Sequence, residues 1–335
     1  MKTPRDVEAD LATEEPVDPT LAPLLPDATV SREVVGRSPW EIFWRQFKRD
    51  RWAIAGIVVV IIMLILAITA PFFAKIVHHG PNDVDLHALD DFGLPSGPSK
   101  AYWFGVDQTG RDLFVRVLYG ARTSLVIAFF ATGMALVIGV VLGMIAGFYR
   151  GKVDTLISRT TDVVLSLPIL LLALGLASAC GASKEGCLGG LIRPGLMLVS
   201  LIIGLFSWPY IARIIRGQVL SLREKEFIEA SRSLGSSNFR IIMREVLPNV
   251  AAPIIVFTTL IIPSNILFEA GLSFLGVGVP DSTPSWGAML ANAGDTFRYA
   301  AWLMIFPGLA LFLTTLAFNL VGDGLRDALD PRTSA

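Results

Sequence analysis

Six stretches of this 335-residue chain contain no Asp, Glu, Lys, Arg or His: 53–74, 123–148, 163–180, 194–212, 251–268 and 301–321. At the chain-wide 17% charged content they would hold about 21 charges, each costing several kcal/mol in hydrocarbon. Their lengths, 18 to 26 residues, suit helices crossing a core roughly 30 Å thick. The polar alternation of a membrane strand is also missing, since Ile57 to Ile62 are all aliphatic, and unpaired backbone in lipid excludes open strands. An all-α polytopic membrane protein with six spans is expected, and soluble-enzyme readings fall away. Fifty-two residues precede the first stretch with no small-residue cleavage site after it, so it reads as a span rather than a secretory signal. A net charge of −1 argues against nucleic acid as a partner; membrane lipid is the partner that the composition demands.

Other absences narrow the chemistry. Proton-coupled carriers need ionisable groups inside their spans, and here Glu269 and Asp323 fall just past the ends of their runs. A hydrolase built on Ser166 or Ser207 lacks a base within a span. Residues Gly105 to Asp112 imitate a phosphate-binding loop, but Arg111 and Asp112 stand where that motif needs Lys and Ser or Thr. The three histidines, His78, His79 and His87, share one segment without a cysteine, so no metal site is expected there. The two cysteines, Cys180 and Cys187, bracket a short loop. An oxidising exterior would permit a disulfide between them; two separate thiols are the alternative.

What is present gives orientation. With six spans both termini share a side, and Lys plus Arg number 20 on that side against 7 on the other. The positive-inside bias predicts cytoplasmic termini. Residues 1–38, Pro-rich and acidic, read as a disordered cytoplasmic tail. In 39–52, Trp40, Phe43, Trp44 and Phe47 share one helical face beside Lys48, Arg49 and Arg51, which suits an interfacial helix or an aromatic belt before the first span. Gly139, Gly143 and Gly147 offer a close-packing stripe. Pro168, Pro209, Pro263 and Pro307 lie within spans and permit kinks.

The cytoplasmic loop 213–250 carries the most specific pattern. Phe227, Ile228 and Leu234 mark one face of a short helix, and Gly235 follows as a cheap helix terminator. Phe239, Ile242, Met243 and Val246 restart a stripe ahead of Pro248. Two helices joined at a glycine predict a rigid projection.

Glu229-Ala230-Ser231, Gly235 and Leu247-Pro248 at these spacings resemble the EAA loop of ABC importer permeases, with Ser231 for the usual second alanine. Glu245 departs from that loop's general pattern, which has an aliphatic residue there. Trp103 to Asp107, Gly110-Arg111-Asp112 and Tyr119 to Arg122 resemble the segment before the second span in the dipeptide/oligopeptide branch. Glu269 to Gly276 and Pro284-Ser285-Trp286-Gly287 resemble that branch's last external segment, and the amphipathic start resembles its C-type subunit. The resemblance covers roughly residues 40–330.

It implies a type I importer permease fold over 53–330 in a prokaryotic cell membrane, moving di- or oligopeptides by alternating access. Nickel or another small solute remains open within the branch; a self-sufficient carrier or channel is the reading from a different class. The implied partners are a second homologous permease, two cytoplasmic ATPase subunits carrying ATP and Mg²⁺, and an extracytoplasmic substrate-binding protein. The chain would bind no cofactor or metal and perform no bond chemistry. The resemblance places ATPase coupling on Phe227, Ile228, Glu229, Ala230, Ser231, Arg232, Leu234 and Gly235, with Glu229 and Arg232 pairing with partner charges. Gly105, Asp107, Gly110, Arg111, Asp112 and Trp286 would form an external gate or a binding-protein contact.

Overall fold

The computed structural model describes residues 39–181, 187, 192 and 195–329; the tail expected at 1–38 lies outside them. The described residues are nearly all helical: α1 (Pro39–Phe47), α2 (Arg51–Val77), α3 (Leu113–Tyr149), α4 (Gly151–Ser166), α5 (Ile169–Gly181), α6 (Leu196–Arg223), α7 (Glu226–Ser233), α8 (Asn238–Ile241), α9 (Leu247–Asn249), α10 (Ala251–Phe274), α11 (Trp286–Ala293) and α12 (Trp302–Leu329). Helices α2, α3, α6, α10 and α12 are long and apolar enough to cross a bilayer, and the bent pair α4–α5 is the sixth candidate.

In that bent pair the kink that Pro168 permits within the run 163–180 is a full break between two helices. Leu167, ahead of Pro168, is extended at φ −83° and ψ 140°, because a residue before proline is driven from the α region. The two helices meet at 83°, and α5, with 13 residues, is only about 20 Å long. Pro209, Pro263 and Pro307 stay inside their helices.

Stretch 39–52 is likewise two elements rather than one. Helix α1 stops at Phe47, and the Asp50 carboxylate accepts from the Trp52 and Ala53 amides at 2.9 and 3.2 Å. An acidic N-cap satisfies two otherwise unpaired amides and complements the helix dipole, so α2 begins at Arg51. The aromatic stripe divides accordingly: Phe47 is buried against Ala53 and Ala328, while Trp44 stays exposed.

Other helices overrun their apolar runs. Helix α3 has 37 residues, about 55 Å of helix against a core of about 30 Å. Its early turns, ahead of Thr123, carry Arg116 and Arg122. Helix α6 packs along α3, and the glycine stripe sets how closely. A Cβ on Gly139 would lie 2.6 Å from Ile211 Cβ, and one on Gly143 2.6 Å from Ala212 O; both clash outright. One core gathers Trp208, Ile211, Ile215 and Val219 of α6 with Met144 and Phe148 of α3. A second, around Trp286, joins α2, α3, α10, α11 and α12. The bundle thus has a knob end, formed by 148–151 and 222–250, and a cap end, formed by 78–112 and 275–301.

Candidate functional site

At the knob end, α7 closes in a Schellman motif. Gly235 has φ +79°, its N–H donates to Arg232 O at 2.9 Å, and Ser236 N–H donates to Ser231 O at 3.1 Å. A left-handed residue is needed there, which glycine supplies without a Cβ penalty. The chain then runs through α8 and a π-helical turn, Ile242–Val246, into α9.

The knob has an inner and an outer face. Ile228 is fully buried with Val219, Ile241, Val246 and Val250. Its expected place among the partner anchors is therefore corrected: it fastens α7 to its own chain. Arg232 also engages its own chain, with its guanidinium 5.3 Å from the Phe148 ring centre, and Arg223 donates to Phe148 O. Phe227, Glu229, Ala230, Leu234 and Gly235 are exposed, Leu234 at 87%, and Ser231 is half-buried. The second stripe differs from expectation as well. Ile241, Ile242 and Val246 face inward, whereas Phe239 and Met243 are exposed. The π turn inserts a residue into the repeat, which a constant 3.6-residue period cannot reproduce.

Ion pairs tie α4 to α6, the helix that leads into this knob. Asp154 of α4 accepts from Arg216 of α6 at 2.5 and 2.8 Å, Asp162 accepts from Arg213 at 2.7 Å, and Arg150 meets Glu224 at 2.5 Å.

At the cap end the segments flagged from the sequence come together, but as an internal lock. Gly105 and Gly110 take φ of +82° and +79°, and a Cβ on Gly105 would lie 2.8 Å from Ser96 O. This turn lets Asp107 accept from the Thr109 and Arg111 amides at 2.9 and 3.0 Å. The Arg111 guanidinium bonds Asp107 at 2.7 Å and Asp281 at 2.6 Å, and Arg116 lies 3.4 and 3.1 Å from the same carboxylates. Burial alone would draw the Arg111 guanidinium down, but its bond to Asp281 and the Asp107 charge outweigh this and raise it. Asp281 follows the same logic in reverse: burial pushes it up, and the Arg111 bond with the Arg116 charge brings it below the ordinary carboxylate value. Asp112 caps α3 through the Phe114 and Val115 amides and meets His79 Nδ1 at 2.9 Å. The Tyr102 hydroxyl donates to Asp85 at 2.6 Å, and burial together with that bond pushes Tyr102 up to about 12.

Two residues here sit deeper than the sequence implied. Trp286 is fully buried and donates from Nε1 to Val117 O at 3.1 Å; it holds α11 on α3, where no external protein can reach it. Glu269 lies inside α10, not beyond a span, and is fully buried, accepting from Ser124 at 3.0 Å and Ser273 at 2.7 Å. Counting uncharged residues ends a run at the first carboxylate, although the helix continues where hydroxyls satisfy it. Cys180 and Cys187 are joined in a disulfide with Cα atoms 4.9 Å apart.

The cap end is tied by internal ion pairs, and the knob end carries a glycine-terminated helix with Phe227 and Leu234 exposed. Residues 139–335 match the family described as binding-protein-dependent transport system inner membrane component. The chain belongs to this family. Residues 38–94 match the N-terminal TM domain of oligopeptide transport permease C, which places the chain in the peptide-importer branch. It is similar to the dipeptide transport system permease protein DppC of Alkalihalophilus pseudofirmus, 40% identical over 88% of this chain and 90% of that one. It is also similar to the glutathione transport system permease protein GsiD of Escherichia coli, 42% identical over 88% and 91%. Among solved structures, the MetNI methionine ABC transporter in an inward-facing conformation aligns with 65% of this chain and 98% of its own, at TM-score 0.53 and 19% identity. That likeness is one of fold. The protein is a multi-pass ABC-importer permease, the membrane component of a complex with an ATPase and a binding protein.

Proposed function

We propose that this permease conducts di- or oligopeptides into a prokaryotic cytoplasm, with α7 as the element through which ATP hydrolysis drives it. The observation that carries the coupling role is the division of α7: Ile228 is buried, while Phe227, Ala230 and Leu234 are exposed beside a glycine-locked helix end. A segment that is rigid toward its own chain and apolar toward solvent transmits displacement from whatever docks on it. The knob end carries the excess of Lys and Arg, so positive-inside bias puts it and both termini in the cytoplasm. The names of the dipeptide and glutathione relatives support peptide cargo.

In this reading two ATPase subunits hold ATP and Mg²⁺, and one docks on α7. A second, homologous permease completes the pathway, and an extracytoplasmic protein delivers the peptide. Ala230 permits close approach, Phe227 and Leu234 enter a cleft on the ATPase, and Glu229 pairs with a cation there. The chain itself binds no nucleotide or metal and breaks no bond. The test is site-directed cross-linking: Leu234→Cys in the assembled importer should bridge to an ATPase cysteine and respond to nucleotide. Uptake that proceeds with residues 227–235 far from every ATPase would overturn the assignment.

A further inference from the structure

Helices that face lipid and helices that face water differ in what they leave exposed. Along the middle of α2, from Ile54 to Ile68, the exposed residues are Ile54, Ala55, Val58, Ile61, Ile62, Ile65 and Ile68, an aliphatic surface. Near the middle of α6 and α10 the pattern changes. Tyr210 is 56% exposed, Ser264 is exposed and Ser207 half-buried. They line a cavity of about 450 Å³ between α5, α6 and α10. Its α6 wall follows the spacing 203, 206, 207, 210 and 214, and its α10 wall 257, 261, 264, 265 and 268, so one whole face of each helix is turned to it. Asn265 supports the polar patch from behind. It is 3% exposed, its Nδ2 donates to Thr132 Oγ1 at 2.8 Å, and its Oδ1 accepts from Ser207 at 3.0 Å. This relay fixes the amide and orients the Ser207 hydroxyl.

Exposed hydroxyls at that depth would be a cost against acyl chains, and they are a gain against a hydrated solute. The remaining wall is Phe206, Phe257, Phe268 and aliphatic residues, and among the described residues no Asp, Glu, Lys, Arg or His lines the cavity. We propose that this cavity is part of the peptide passage, where the uncharged hydroxyls of Ser207, Tyr210 and Ser264 meet the backbone amides of the cargo and phenyl rings accommodate its side chains. Hydroxyls both donate to and accept from peptide groups, and no wall charge selects among charged side chains. The inference rests on the peptide-permease reading and deepens it.

Because the two native cysteines are bridged, a single introduced thiol can be read cleanly on this chain by mass spectrometry. Ser207→Cys and Ser264→Cys, each in the importer reconstituted with its ATPase, sister permease and binding protein, are treated with a charged methanethiosulfonate. Ile61→Cys, on the aliphatic face of α2, is the control. At least tenfold faster labelling at 207 and 264 than at 61 is expected in one of the nucleotide-free and vanadate-trapped states, slowed by transported dipeptide. Labelling no faster than at 61 in both states, as burial against a sister helix or lipid would give, overturns the proposal; so does labelling that dipeptide leaves unchanged. ATP hydrolysis stimulated by the loaded binding protein is measured alongside. Its retention with inert thiols sinks the passage alone, whereas its absence in the unmodified complex sinks the coupling reading.

Discussion

At the cap end, charge is consumed within the chain: Asp107, Arg111, Arg116 and Asp281 satisfy one another, and Asp112 caps a helix while bonding His79. At the knob end, ion pairs seat the base but the tip is left unfinished, with Phe227, Leu234, Phe239 and Met243 exposed. Apolar groups on the bundle sides are explained by lipid, but a polar-flanked projection with exposed aromatics needs a protein neighbour. On the proposed coupling role, the contrast separates residues that hold the subunit together from residues that would hold it to an ATPase, and the two classes should break differently.

The largest effect is expected where rigidity and docking meet. Gly235→Pro forces φ to about −65° where the Schellman turn requires a positive value, and Ala230→Glu places a bulky charge on the docking face. Each should reduce uptake at least 100-fold, by radiolabelled dipeptide transport, while membrane insertion is retained. Ile228→Ala and Phe227→Ala then form a paired test. Emptying the buried site should cost about 2–5 kcal/mol of stability, measured by thermal unfolding in detergent. Its neighbour should leave unfolding unchanged and instead weaken ATPase binding by about 2 kcal/mol, roughly 30-fold; equal effects of the two would erase the inner–outer distinction.

At the cap end, Arg116→Ala leaves Asp107 and Asp281 short of a cation and should cost about 3 kcal/mol of stability, with ATPase binding untouched. Reducing the Cys180–Cys187 bond should cost roughly 2 kcal/mol for so small a loop, seen as a lower unfolding midpoint in reductant. The smallest effect is the response to acid. Because the folded value of Asp281 lies below its ordinary 3.8, its stabilising contribution is present above about pH 4 and is lost as pH falls through the lowered value. Hydrogen exchange in 83–112 should therefore accelerate on acidification before exchange in α7 does.

Much of this was legible in the chain, for identifiable reasons. A charge-free run of about 20 residues has few other fates than a membrane, and Gly235 after a short apolar face marks a helix end wherever it occurs. The EAA-like spacing around Glu229, Ala230 and Gly235 marks the projection in the sequence itself. Less legible was direction. Phe227 and Ile228 are adjacent and similarly apolar, yet one faces solvent and the other is sealed beneath Val219 and Val246. The faces of Phe239 to Val246 are not legible from a constant 3.6-residue period, because one π turn shifts the phase.

The amino-acid order by itself determined the membrane class, the preference for one side by basic residues, the glycine-ended projection and the proline that breaks α4 from α5. These follow from hydration, steric limits on φ and the missing proline N–H, all properties of short segments. Only the tertiary structure decided that Asp281 pairs with arginines some 170 positions away, that Glu269 is buried among hydroxyls, and that Ser207, Tyr210 and Ser264 share one cavity. Such contacts join segments distant in sequence, and no local preference encodes which of several equally apolar or polar faces will meet.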